Sequence, residues 1–76
     1  GRERARLLVA RADATRAPAH VDEARAALDR LLARDPVDST LWAWASVAAA
    51  LDGDDAAAAE ALARAEHLRP ESRDGT

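Results

Sequence analysis

The chain has 76 residues, a formal net charge of −3 and no cysteine, so it forms at most one domain and has neither disulfides nor thiolate metal sites. Alanine and leucine dominate its apolar residues, and its 11 basic residues are all arginine. Because alanine favours helices but offers little area to bury, this composition predicts helices that pack closely around a thin core.

Composition also limits the classes of partner. An acidic chain with no aromatic residues interleaved among basic ones argues against nucleic acid. No apolar run reaches the roughly 18 residues of a membrane span, so we expect no membrane insertion. Nothing resembles a signal peptide, and we expect a cytoplasmic location, although the chain does not begin with methionine and reads as part of something longer.

The first predicted helix covers roughly residues 3–16, and Pro18 is expected to end it, because proline breaks a helix and restricts the residue before it. The second covers roughly residues 21–34. Its first turn would contain Asp22 and Glu23, where carboxylates interact favourably with the helix dipole.

The third predicted helix begins after Asp38 or Ser39, either of which suits an N-cap, and runs to Leu51, where Asp52-Gly53 breaks it. The fourth covers roughly residues 54–68. No run alternates between apolar and polar residues, so no strand is expected. The loops are short, which predicts that successive helices are antiparallel neighbours.

A fixed period relates the two halves of the chain. Pro36 and Pro70 lie 34 residues apart, and each follows a stretch rich in leucine and alanine. The same offset relates an alanine pair and a leucine pair ahead of these prolines: Ala24 with Ala58, and Leu28 with Leu62. A constant period of this length is the sequence signature of stacked helical repeats.

The spacing of residues within each period supports a specific resemblance. Residues 39–72 read Trp42-x2-Ala45-Ser46-x2-Ala49, then Ala58-x3-Leu62, then Pro70. Residues 5–38 read Leu8-x2-Arg11-Ala12-x2-Thr15, then Ala24-x3-Leu28, then Pro36. Both units resemble the tetratricopeptide repeat, a helix–turn–helix unit of 34 residues with the pattern W-x2-L-G-x2-Y, A-x3-F and P. The alternative is an unrelated four-helix bundle.

The resemblance implies an all-α fold of four antiparallel helices, arranged as two stacked helix–turn–helix repeats. The domain would cover residues 1–72, with repeats at 5–38 and 39–72 and a disordered tail at 73–76. Small residues would let the helices approach closely, at Ala12, Ala24 and Ala58. Larger side chains would fill the gaps between them: Leu28, Leu31, Trp42 and Leu62.

In this family the first helices of successive units line a concave groove. The resemblance places the partner-binding positions on the first and third helices, at Arg6, Val9, Asp13, Arg16, Thr40, Ala43, Val47 and Ala50. Trp42 is expected in the core. Trp44 has two interpretations: packing against the second helix, or a partly exposed aromatic anchor for a peptide or another subunit.

The function expected from the resemblance is binding of a protein or peptide segment in that groove. The alternative is a structural element that self-associates or packs against a larger chain, since about three repeats are usually needed for stability. Residues 1–34 carry a net charge of +3 and residues 35–76 a net charge of −6, which suits head-to-tail attraction between copies. Contact between the arginines of the first helix and the acidic turn at residues 52–55 of another copy is one such possibility.

No residue set suggests catalysis, a metal or a cofactor. Ser39, Ser46 and Thr15 have no histidine or acid at a motif spacing, and no glycine-rich phosphate loop is present. His20 and His67 are expected to be structural or solvated. We therefore expect a chain that is not an enzyme.

Overall fold

The computed structural model describes residues 2–68, which form four helices and no strand. The helices are α1 (Arg2–Thr15), α2 (Pro18–Arg34), α3 (Ser39–Leu51) and α4 (Asp55–Leu68). The all-α, four-helix prediction is confirmed. The proposed helix-ending role of Pro70 and the predicted tail at 73–76 lie outside the described residues.

The boundary between the first two helices differs from the prediction. Pro18 begins α2 instead of ending α1, so α2 starts three residues earlier than expected. Proline suits this position, because the first turn needs no N–H partner there and its fixed φ already matches the helix. Asp22 and Glu23 consequently lie beyond the first turn. α1 ends because Arg16 takes a left-handed φ of 58°, a common helix-terminating conformation.

Two side chains hold the corner between α1 and α2. The Thr15 hydroxyl donates to the Arg11 carbonyl at 3.0 Å and lies 2.8 Å from Nδ1 of His20. His20 thus links the end of α1 to the start of α2.

Asp38 is the N-cap of α3. Its carboxylate accepts from the backbone N–H groups of Thr40 at 3.0 Å and Leu41 at 3.3 Å. Nε of Arg2 lies 3.4 Å from the same carboxylate, so this cap also ties the start of α1 to the start of α3. Of the two predicted capping residues, the structure therefore uses Asp38.

Removing this cap gives a measurable test of the local structure. Asp38→Ala is expected to lower the free energy of unfolding by about 1 kcal/mol, because two backbone N–H groups lose their acceptor. Asp38→Asn keeps an oxygen acceptor and should cost less. Thermal unfolding followed by circular dichroism compares the two variants, and equal losses would show that the hydrogen bonds of the cap contribute nothing.

The predicted break after α3 is confirmed. Gly53 takes a φ of 79°, which favours glycine over any residue with a side chain. Asp54 then accepts from the N–H of Ala57 at 3.1 Å, so it precedes α4 as a capping residue instead of beginning the helix. Two local signals, a glycine and an aspartate, therefore set this turn.

α3 is the centre of the molecule. It contacts α1, α2 and α4, while α1 and α2 contact each other. This placement explains why α3 is apolar on nearly every side, since a helix surrounded by neighbours needs few polar residues. The linkers contain two, four and three residues, so the chain reverses direction between successive packed helices. The largest fully buried side chains are Leu28, Leu41 and Val21.

One core prediction was wrong. Leu62 was expected to fill a gap between helices, but 47% of it is exposed. Its counterpart 34 residues earlier, Leu28, is only 1% exposed. The physical reason lies in the stacking: α2 packs against α3, whereas α4 packs mainly on α3 with no further helix on its other side in the described chain. Ala58, the counterpart of the fully buried Ala24, is likewise only half-buried.

Candidate functional site

The predicted groove involves helices that are neighbours in the structure, because α1 and α3 contact each other. We call the predicted positions on these two helices the α1–α3 surface. These positions differ in how far their side chains are exposed to solvent. Arg6, Asp13, Arg16, Val47 and Ala50 are exposed, Thr40, Ala43 and Trp44 are half-buried, and Val9 is buried.

Val9 contributes little to this surface. Its side chain belongs to the hydrophobic core cluster and is 7% exposed. The residue 34 positions later, Ala43, is half-buried. The accessible part of the α1–α3 surface therefore consists of charged side chains on α1 and just after its end, and of small or apolar side chains on α3.

The charged side chains of this surface form only exposed ion pairs with residues of their own chain. Arg6 lies 3.5 Å from Glu3, and Arg16 lies 3.8 Å from Asp13, in pairs whose side chains are more than half exposed. Exposed ion pairs of this kind contribute about 0–1 kcal/mol. The Arg6 and Arg16 guanidinium groups therefore remain accessible to a carboxylate from a partner.

Trp44 combines features of both predicted interpretations. It packs against the core cluster, which supports the packing role. It is nevertheless only half-buried, and Val47, one turn later on the same side of α3, is 42% exposed. Side chains three residues apart on a helix are neighbours, so Trp44 and Val47 form a small apolar area.

Trp42, predicted to lie in the core, is half-buried at the edge of it. Its Nε1–H donates to the Pro36 carbonyl at 2.7 Å. The Arg64 guanidinium lies 5.2 Å from the centroid of its ring, a cation–π contact. Trp42 therefore joins the turn before α3 to the last turns of α4.

Trp42 also lines a pocket of about 240 Å³ between α2, α3 and α4. The pattern of the sequence gave no sign of this pocket. Its walls combine apolar side chains with three charged ones. The lining residues are Arg25, Leu28, Asp29, Leu32, Trp42, Ala45, Ala49, Ala57, Glu60 and Ala61.

Arg25 connects α2 to the acidic turn that precedes α4. Its guanidinium lies 2.7 Å from the carboxylate of Asp52 and 3.7 Å from that of Asp54. These side chains are 32–46% exposed, so solvent screens the pairs only in part. The acidic turn, considered above as a docking point for arginines of another copy, is thus already paired with an arginine of its own chain.

A second groove, of about 380 Å³, lies between α1 and α2. We call it the α1–α2 groove. All the residues that line it come from these two helices, so the second helix pair does not cover it. Its lining contains three arginines and one glutamate: Arg4, Ala5, Leu8, Glu23, Ala27, Arg30, Leu31 and Arg34.

Residues 2–68 lack two further kinds of feature. Within that part of the chain, no group of three or more histidine, cysteine, aspartate or glutamate side chains is arranged to hold a metal ion. None of the described helices is both long enough and apolar enough to cross a membrane.

Comparison with known proteins identifies no relative. No protein-family model matches the chain, and neither the curated proteins nor the solved structures contain a significant match.

Proposed function

We propose that this chain is a protein-interaction module of the tetratricopeptide-repeat type, which binds a protein or peptide segment on its α1–α3 surface. The proposal excludes catalysis and retains the cytoplasmic location expected from the sequence. Support comes from the period of 34 residues and from a third helix that packs on the other three. The observation that carries it is the pairing of half-buried Trp44 with exposed Val47 beside α1.

The chemistry of this surface suggests the kind of segment it would take. Trp44 and Val47 offer an apolar contact, and tryptophan is enriched among the residues that dominate binding energy. Arg6, on the neighbouring helix, and Arg16, directly after its end, are exposed. Arg16 also donates from Nε to the Asp13 carbonyl at 3.0 Å. A segment with one apolar side chain close to a carboxylate would satisfy both parts of the surface.

Selection from a displayed library of random peptides tests this proposal, because it requires no known ligand. We expect selected peptides to contain an apolar residue next to an acidic one. Val47→Asp should abolish their binding, because it places a charge in the apolar contact. Since Val47 is 42% exposed, the same change should alter the melting temperature little.

Val37→Asp is the matched control. Val37 is also an exposed valine, but it lies in the turn between α2 and α3 and is not one of the residues of the α1–α3 surface. It should leave peptide binding unchanged. Peptides that bind the Val47→Asp variant as well as the wild type would contradict the proposed site, and so would a library that yields no binder.

A second candidate function, assembly, is favoured by a different observation. Leu7 and Leu62 are 54% and 47% exposed, on the first and last described helices, where each helix pair lacks a neighbour. Isolated exposed leucines are common, but these two occupy positions whose counterparts are buried inside the molecule. Light scattering over a concentration series tests this candidate, because a purely peptide-binding module stays monomeric.

A further inference from the structure

The junction between the two helix pairs is formed by one side of α2. Four residues at helical spacing lie along it: Val21, Arg25, Leu28 and Leu32. The three apolar members are buried, and Arg25 is half-buried against the acidic turn. Arg25, Leu28 and Leu32 also line the pocket shared with α3 and α4. This side of α2 is therefore the surface on which the second helix pair packs.

The corresponding side of α4 has no partner within residues 2–68. Adding the period of 34 to the four positions of α2 gives Asp55, Ala59, Leu62 and Glu66. All four are exposed. We call this set the α4 stripe. It has an acidic residue at each end and an apolar centre, and Leu62 occupies the position that Leu28 occupies in α2.

The α1–α2 groove corresponds, 34 residues earlier in the chain, to the surface of α3 and α4 on which α2 packs. Three residues that line it correspond, 34 positions later, to three residues that line the internal pocket. The pairs are Leu8 with Trp42, Glu23 with Ala57, and Ala27 with Ala61. In the internal pocket α2 lies against these positions, whereas the α1–α2 groove has no helix on it in the described chain.

The exposed Leu7 is explained in the same way. Its counterpart, Leu41, is 1% exposed and belongs to the core cluster formed with α1 and α2. Leu7 itself is 54% exposed, since the described chain has no helix pair before α1. Residues 2–68 therefore present two open surfaces, and each corresponds to one half of the junction that they already contain.

We infer that the α4 stripe of one copy of this chain packs into the α1–α2 groove of a second copy, head to tail, with Leu62 in the place that Leu28 takes internally. This inference rests on the second candidate function, assembly, and names its partner as another copy. It uses different residues from the α1–α3 surface, so peptide binding and self-association are separable.

Charge complementarity supports a second copy as the occupant. The α1–α2 groove contains Arg4, Arg30 and Arg34 against a single acid, Glu23. The internal junction also predicts how the α4 stripe is positioned along the α1–α2 groove of the second copy. Arg64, which lies over Trp42 at one end of that junction, corresponds to Arg30. Glu66 replaces Leu32 at the same end, so its carboxylate would enter the basic end of the groove.

A head-to-tail contact of this type joins two different surfaces, so a pair of copies, like any longer row, still has one open groove at one end and one open stripe at the other. Such a heterologous interface generates rings or open chains instead of a closed two-fold dimer. Association should therefore extend beyond a dimer as the concentration rises. It should also weaken in high salt, because part of the attraction comes from exposed charges.

Two variants that each block one surface test the inference. Leu62→Asp blocks the stripe and leaves the groove intact. The double variant Arg30→Glu/Arg34→Glu reverses two charges in the lining of the groove and leaves the stripe intact. All three residues are exposed, so both proteins should fold. We expect each variant alone to be monomeric at concentrations where the wild type associates, and an equimolar mixture to form a 1:1 complex that grows no further.

Val37→Asp again serves as the matched control, since Val37 is 67% exposed but lies on neither surface. It should associate as the wild type does. Circular dichroism of each variant verifies folding before masses are measured by sedimentation. A mixture that stays monomeric, from a wild type that associates, would overturn the head-to-tail geometry while leaving assembly in place. A wild type that stays monomeric would overturn self-association itself.

Discussion

Leu28→Ala is expected to lower the free energy of unfolding by about 2–5 kcal/mol, the usual range for deleting a buried leucine side chain. Leu62→Ala, the same change 34 residues later, is expected to cost less than about 0.5 kcal/mol, as for exposed positions. The contrast arises because Leu28 is 1% exposed beneath α3, whereas Leu62 is 47% exposed. Chemical denaturation followed by circular dichroism, at a concentration where the protein is monomeric, measures both.

The pair is a matched comparison, because the same residue type lies on α2 and, 34 positions later, on α4. Equal costs would mean that α4 is covered as fully as α2, which contradicts the open surface on α4. If instead the Leu62→Ala cost grows as the protein concentration rises, the leucine becomes buried on association.

Trp42→Ala is expected to destabilise the fold by about 2–4 kcal/mol. A fully buried tryptophan or phenylalanine costs roughly 3–5 kcal/mol when truncated to alanine, and Trp42 is only half-buried. The change removes the ring, its hydrogen bond to the Pro36 carbonyl at 2.7 Å and its contact with Arg64. Trp42→Phe keeps an aromatic ring but removes the N–H donor. It should therefore lower the free energy of unfolding by about 1 kcal/mol, the contribution of one hydrogen bond.

Trp44→Ala is the natural companion to Trp42→Ala. Trp44 packs against the core but, among the described residues, its indole N–H has no protein partner. Trp44→Ala should therefore lower the free energy of unfolding by less than Trp42→Ala does, and thermal unfolding of the two variants measures the difference. A larger loss for Trp44 would assign it to the core and remove it from the α1–α3 surface as an anchor.

Local signals in the sequence predicted much of the fold. Gly53 was correctly placed at the end of α3, and Asp38 is one of the two residues predicted to cap its start, because capping and left-handed turns depend on one or two residues. Leu28 was correctly assigned to the core from its spacing. Pro18 was misread, since the same residue type both ends helices and begins them. The left-handed φ of Arg16 and the extended backbone of Ala17 show that α1 has already ended before Pro18.

Features that depend on distant contacts were not predictable. Arg25 and Asp52 are 27 positions apart, and no pattern along the chain relates them. Leu62 was assigned to the core because its spacing matches that of Leu28, but spacing identifies an equivalent position and not whether a neighbouring helix covers it. The α1–α2 groove is unpredictable for the same reason, because the 34-residue offset leads to it only once the structure shows that Trp42 and Ala61 line the internal pocket.

The two surfaces left open on residues 2–68 correspond to the two halves of their internal junction, and from this we infer head-to-tail association. The most direct test is the mass of the wild-type protein in solution, measured by light scattering over a wide concentration range. The account predicts a mass that rises from that of the 8.1 kDa monomer through dimers to larger species, and that falls again in high salt. A mass that stays at 8.1 kDa at every concentration would contradict it.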